Sequence, residues 1–315
     1  MALAEQVLGE LELLLDAPLI DEDFDGPVLL KGLAAAQFLA STLATQASGT
    51  PAPLSDGGRV VELEPLLLSR LGKAVMPDFI DVVDDPAMGG FGDISVDADG
   101  HPARRIELVR GGVLSSLLMT SVPNELIRES NGRARATPIH TVASSITNLV
   151  LSSRTPGLDD AALERELVAR ARDDGWEFAY VIESLRDGTV LGPVGRSGAS
   201  AYGNDRQVEL STPQRIVRLG VDGSRTLVRG ALLAPTPMRA LRRIRKVGRT
   251  SSTFPMRLPP GRDGGFAADL GRGALLSDTV DVSVSTPALL LDGLELVVER
   301  GDAEKPPTLT HPLRR

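Results

Sequence analysis

From residue 76 to residue 120 the chain repeatedly interrupts its apolar runs with glycine and aspartate, and this punctuation restricts the fold more than any other feature. FIDVVDDP (79–86), RRIELVR (104–110) and VLSSLLMT (113–120) are too short to be free-standing helices, and DADG (97–100) and Gly111-Gly112 stand between them. Short β-prone runs split by residues that tolerate tight turns form antiparallel meanders. The pattern recurs in WEFAYVIESL, turned at Asp187-Gly188 into VLGPV, and in RIVRLGVDGSRTLVRGALLA, turned at Asp222-Gly223. DTVDVSVSTPALLLDGLELVVE (278–299) supplies the last strands, and VLL (28–30), after the loop DAPLIDEDFDGP, an early buried one.

Three stretches carry helical spacing instead: 1–16, 33–46 and 159–174. In the last, Asp159 is placed to cap the amino end, Leu163 and Leu167 stack one turn apart, and Gly175 stops the helix. The expected architecture is an α+β domain built mainly on antiparallel sheet. Residues 1–25 form an amino-terminal helix and loop, 26–300 the domain, and 301–315 an extended proline-rich tail. There is no internal repeat and no interdomain linker.

Aromatic residues make up only 3% of the 315, so the core must rest on Leu, Val, Ile and Ala. The formal net charge of −8 disfavours a nucleic-acid partner, because phosphate binding needs a basic face. The one basic run, MRALRRIRKVGR (238–249), carries apolar residues every third position and reads as an amphipathic helix or turn with a solvated basic face, in preference to a phosphate or partner patch. MALAEQVLGELELLLDAPL has acids where a signal peptide has bases, and no apolar run approaches the roughly 20 residues that cross a bilayer. A cytoplasmic, soluble protein is expected.

Sites of chemistry are sparse. The absence of cysteine removes disulfides, thiolate metal ligands and a Cys nucleophile together. His101, His140 and His311 are isolated, with no pair at metal-ligand spacing. Asp93, Asp97 and Asp99 lack the ligand spacing of a calcium loop and read as turn residues. GRSGAS (195–200) has Ala199 where a nucleophile elbow needs glycine, and GGFGD (89–93) lacks the lysine of a phosphate loop. RESNGRARATPIHTVASSITNLVL (128–151) is more suggestive. It strings Arg128, Asn131, Gly132, Arg133 and Arg135 ahead of a β-rich stretch containing Asn148. It fits either a solvated loop before a core strand or an edge that takes up extended peptide, its arginines meeting carbonyls or a carboxylate.

Six segments in order resemble the C-terminal domain of the TldD/PmbA family, the modulator-of-gyrase metallopeptidases. They are GPVLLKGLAAAQFLASTLA, LGKAVMPDFIDVVDDP, DADG with RRIELVRGGVLSSLLMTS, SNGRAR with SSITNLVLSSRTPG, ALERELVARARDDGWEFAYVIESL, and STPALLLDGLELVVERG. The resemblance implies that active subunits carry HExxxH on the helix after the first strand and complete a zinc site with a Cys near the carboxyl end. Aligned on that helix, the two His and the Glu correspond to Ala40, Thr45 and Ser41, and no His or Glu occurs anywhere in 26–50. The resemblance therefore implies a degenerate subunit of the TldE/PmbA kind, a pseudoenzyme with no cofactor of its own. It would pair with a zinc-bearing TldD-like homologue, or with itself, around an unfolded or precursor peptide. A free-standing peptide-binding or scaffolding module is the alternative, and a hydrolase with a relocated site a third. Family members usually carry a further amino-terminal domain, whereas the resemblance here begins within about 25 residues of Met1, so that domain is expected to be absent from this sequence, either naturally or because the sequence is an excerpt.

Overall fold

The computed structural model describes residues 2–51, 67–137, 142–186, 207–208, 210–258, 260 and 279–299. Its frame is an eleven-stranded sheet organised around one long strand, β15 (Val280–Val298). The main path runs β11 (Arg225–Val228), β10 (Pro213–Gly220), β8 (Phe178–Leu185), β1 (Phe24–Leu30), β15, β7 (Asn148–Ser153), β2 (Ile80–Asp84), β3 (Ile106–Arg110) and β4 (Val113–Leu114). β12 (Ala231–Leu233) and β14 (Ile244–Leu258) also pair with β15. Only the β1–β8 and β15–β7 pairings among these are parallel, so the α+β, mainly antiparallel architecture read from the sequence is the observed one. Two short ribbons lie apart from the sheet: β5 (Ala134–Arg135) with β6 (Ala143–Ser144), and β9 (Gln207–Val208) with β13 (Thr236–Pro237).

Helices cover the sheet's middle on both faces. β1 buries almost every residue, as a strand covered on both sides must. Val28 and Leu30 join the main core beneath α2 (Gly32–Leu39), while Leu29 meets Leu163, Leu167 and Ala171 of α3 (Asp160–Asp173). Each such leucine stabilises the fold by about 1.5–3 kcal/mol on burial. Pro27 cannot donate to the ladder, and the β1–β15 register shifts there, between Gly26↔Leu294 and Val28↔Leu291. Four of the few aromatics gather at one end: Phe24 lies 4.7 Å from Trp176 and 4.9 Å from Tyr180, and Phe178 is 5.4 Å from Tyr180. Burial there pushes the Tyr180 hydroxyl up to about 12.

α3 begins where its cap places it, with the Asp159 carboxylate accepting from the Ala162 N–H at 2.8 Å. Asp159→Ala is expected to cost about 1 kcal/mol, read as a lowered thermal midpoint with an unchanged fold.

Several local readings are corrected. The strand expected at 28–30 begins at Phe24, inside the segment read as loop. The helix of 33–46 starts at Gly32 and widens into a π turn over Ala40–Ala44. VLSSLLMT keeps strand geometry only at Val113–Leu114, because the chain peels away after Ser115 N–H bonds Leu108 O. The basic run 238–249 is a 3₁₀ turn over Met238–Arg243 and then the start of β14, since Ile244 and Val247 pair with Leu291 and Leu289 of β15. The last strands merge into one. The Asp187-Gly188 hairpin, GRSGAS, His140 and His311 lie outside the described residues.

Candidate functional site

Two neighbouring places carry the sequence-derived candidates: the amino-terminal helix of the domain, and the ribbon that holds SNGRAR. On the helix, the π turn is defined by Thr45 N–H donating to Ala40 O at 3.0 Å, five residues back. In an α-helix, residues five apart sit about 140° apart around the axis; a π turn brings them toward one side. The side chains explain why the helix loosens here. Thr42 Oγ1 donates to Phe38 O at 2.6 Å and Thr45 Oγ1 to Ser41 O at 2.7 Å, back-bonds that compete with the helical ladder.

These residues do not fit a zinc ion. Ala40 offers only a methyl, 3% exposed, and the Thr45 hydroxyl is committed to Ser41 O. Among the described residues no group of three or more His, Cys, Asp or Glu could hold a metal, and a catalytic zinc needs about three such ligands. One polar atom nearby is left over: Gln46 is buried, its Nε2 donates to Thr45 Oγ1 at 3.1 Å, and its Oε1 has no partner.

The ribbon is organised by an ion pair with no exposure on either side, Arg133 with Asp84. Arg133 Nε donates to Asp84 Oδ2, Nη1 to Asn131 O (2.9 Å) and Gly132 O (3.1 Å), and Nη2 to Asp84 O (3.1 Å) and Arg104 O (2.6 Å). Thr147 closes the other side, its N–H reaching Asp84 Oδ1 and its hydroxyl Oδ2, both at 2.9 Å. Burial pushes the Asp84 carboxyl above its ordinary range, against the opposing pull of Arg133 and Thr147. Asp84 was not singled out from sequence, although a signal existed. In IDVVD, Ile80, Val82 and Asp84 share one face of the strand, which places a carboxylate among core residues.

The peptide-binding candidates therefore stand differently in space than in sequence. Asn131 clamps its own chain, Nδ2 to Leu117 O (2.7 Å) and Oδ1 from Met119 N–H (2.9 Å). Asn148 is fully buried, accepting from Gly92 N–H at 3.0 Å and donating to Asp85 O (2.8 Å) and Asp93 Oδ1 (2.6 Å). Gly132 is packed against the 102–103 backbone. Arg133 has no surface to offer. Arg133 and Asn148 are thus buried and Asn131 half-buried, and the polar groups of all three are bonded within the fold. Arg135 differs: Nη2 donates to Asp281 O at 3.1 Å, Nη1 has no partner, and burial lowers the guanidinium's affinity for its proton. Arg128 is exposed.

The turn readings of the aspartates agree with their bonds. Asp97 accepts from the N–H groups of Asp99, His101 and Ala134, Asp99 from Ser121, and Asp93 from Gly89 and Gly90. In GGFGD, Phe91 N–H goes to Ser283 Oγ and Gly92 N–H to Asn148 Oδ1, so these amides are not gathered to cradle a phosphate. A Cβ on Gly92 would lie 2.1 Å from Thr147 O, so this close approach requires glycine.

A family model described as the PmbA/TldA metallopeptidase C-terminal domain matches residues 25–297. A protein named metalloprotease from Methanothermobacter thermautotrophicus is 35% identical over 78 residues, 24% of this chain and 17% of that protein. Among solved structures, TldE from Thermococcus kodakarensis superposes with a TM-score of 0.58 at 13% identity, covering 93% of this chain and 54% of that one. A candidate modulator of DNA gyrase from Thermotoga maritima gives 0.56 at 16% identity, covering 92% and 53%. At such identities the structural likeness establishes the fold. The chain spans about half the length of these solved relatives.

Proposed function

The chain belongs to the family of the PmbA/TldA metallopeptidase C-terminal domain, and from that premise we propose that it is a non-catalytic, TldE/PmbA-like subunit. It pairs with a zinc-bearing TldD-like homologue and helps to hold an unfolded or precursor peptide in extended form. The observation that carries this reading is the helix. Its π turn joins positions 40 and 45, the two His positions of the implied motif, yet the side chains there are Ala and Thr. Without a bound cation, water keeps a pKa near 15.7 instead of about 7, and no hydroxide forms for peptide hydrolysis at neutral pH.

In this reading the Arg133–Asp84 pair and the two asparagines stiffen the wall, and Arg135 supplies the donor that meets a peptide carbonyl or carboxylate. Arg135→Ala is expected to weaken peptide binding by the assembled complex about tenfold, the worth of one charge-assisted hydrogen bond.

The purified chain alone should contain far less than one zinc per molecule and cleave no peptide, while a zinc-bearing homologue should copurify with it. Stoichiometric zinc together with chelator-sensitive cleavage by the lone chain would overturn the proposal. Failure to pair with any such homologue, with peptide binding retained, would favour the free-standing binding module. Among the described residues no helix is long and apolar enough to cross a membrane.

A further inference from the structure

Asp25 and Glu295 stand opposite one another in register on the neighbouring antiparallel strands β1 and β15. Directly opposed residues of such a pair share one face of the sheet, and like charges placed there repel. Both side chains are exposed, and among the described residues neither carboxylate forms an ion pair. Across from them the 3₁₀ turn Met238–Arg243 presents Arg239 and Arg243, held in place because Ala240 and Leu241 between them are sunk in the core. The four charged residues line one cleft of about 150 Å³, and Pro235 and Pro237 help to wall it. Gly293 lets the two sides approach: a Cβ there would lie 3.0 Å from Arg243 Nη1 and 3.7 Å from Asp25 Oδ1. Yet Arg243 forms no ion pair with either carboxylate. Its Nη1 turns to Gly293 O at 3.4 Å, longer than the roughly 2.7–3.2 Å of an ordinary N–H···O bond.

A cleft with one negative and one positive wall selects its ligand by charge. A bare anion gains from the arginines and loses to the carboxylates, and a bare cation meets the reverse. A molecule carrying both charges a few ångströms apart satisfies both walls. The volume falls below the roughly 300–1,000 Å³ of sites for drug-sized ligands, so the ligand is small. The two prolines offer ring carbons and no backbone N–H, a lining matched to a short aliphatic group.

We propose that this cleft binds a free α-amino acid with a short aliphatic side chain, its carboxylate on Arg243 beside Arg239 and its ammonium on Asp25 and Glu295. A guanidinium meets a carboxylate through two parallel N–H···O bonds, and the ammonium relieves the repulsion between the opposed acids. Both walls stand ready without the ligand, one on the β1–β15 ladder and the other on a turn anchored in the core. The inference uses neither Arg135, the Arg133–Asp84 pair nor α2, so it and the peptide-holding reading can fail separately.

Titration of the full chain with L-alanine at low salt, followed by saturation-transfer NMR, is expected to show one site with a dissociation constant of about 1 mM, weakening as salt is raised. Propionate lacks the ammonium and ethylamine the carboxylate, and each should bind at least about tenfold more weakly, the worth of one charge-assisted hydrogen bond. Arg243→Gln should weaken L-alanine by a similar factor. Asp25→Asn with Glu295→Gln should make L-alanine and propionate bind alike. All three positions are exposed, and circular dichroism should be unchanged. No saturable binding of L-alanine at about ten times the expected constant, propionate or ethylamine binding as well as L-alanine, or an affinity indifferent to either set of substitutions overturns the proposal.

Discussion

Arg133→Met is expected to destabilise the protein by about 3–5 kcal/mol at neutral pH, because it leaves a buried carboxylate without its counter-charge. Both partners of the pair have no exposure, and Arg133 also holds the carbonyls of Asp84, Arg104, Asn131 and Gly132. The loss therefore includes unsatisfied acceptors as well as charge. The pH dependence separates the two. Burial already raises the Asp84 carboxyl above the ordinary carboxylate range, and removing Arg133 removes the strongest pull in the other direction. A carboxyl with a raised folded-state pKa favours folding fully below its unfolded value and loses that contribution as pH rises through the folded value. The deficit of Arg133→Met relative to wild type should thus shrink on acidification. Adding Asp84→Leu should recover part of the loss at neutral pH. Urea unfolding at two pH values reads both, and a neutral-pH cost under about 1 kcal/mol would show that the pair does not organise the ribbon.

Gly132→Ala should rank beside it, at roughly 3 kcal/mol or more. Its φ is +74°, and an added Cβ would sit 2.4 Å from Pro102 O and 2.5 Å from Ala103 Cα. Ala103 cannot easily give way, because its N–H is bonded to Ser95 O at 3.0 Å. Gly100→Ala is the control: φ is +83° but nothing lies within 4 Å of its Cβ, so only the left-handed backbone penalty of about 1 kcal/mol applies. Equal costs at the two positions would mean that the contact at Gly132 relaxes freely. Calorimetric midpoints of the two variants make the comparison.

Much of the fold was legible because its signals are local. Asp159 and the Leu163–Leu167 spacing define α3, and the glycine and aspartate turns define the meander and the Asp222-Gly223 hairpin. Where packing overrides local pattern, the reading failed. The three-residue apolar spacing of 238–249 suggested an amphipathic helix or turn throughout; a 3₁₀ turn covers Met238–Arg243, but Ile244 and Val247 are consumed by pairing with β15. The site divided similarly. That positions 40, 41 and 45 lack ligands is plain in the letters, since a missing imidazole needs no coordinates. That SNGRAR is largely internal bracing was not, because an arginine's burial depends on an acid 49 residues away.

The sequence by itself determined most of the element types, the glycine and aspartate turns of the meander, the family and the lack of metal-ligating side chains on the domain's first helix. Each of these follows from residue identity or from spacing within one element. Only the tertiary structure decided that Arg133 is buried against Asp84, that a π turn joins Ala40 to Thr45, and that Leu8, Leu11, Leu13 and Leu15 of α1 (Ala2–Asp16) face water. Those depend on which distant groups desolvate a charge, accept a hydrogen bond or cover an apolar face, and no local pattern encodes them.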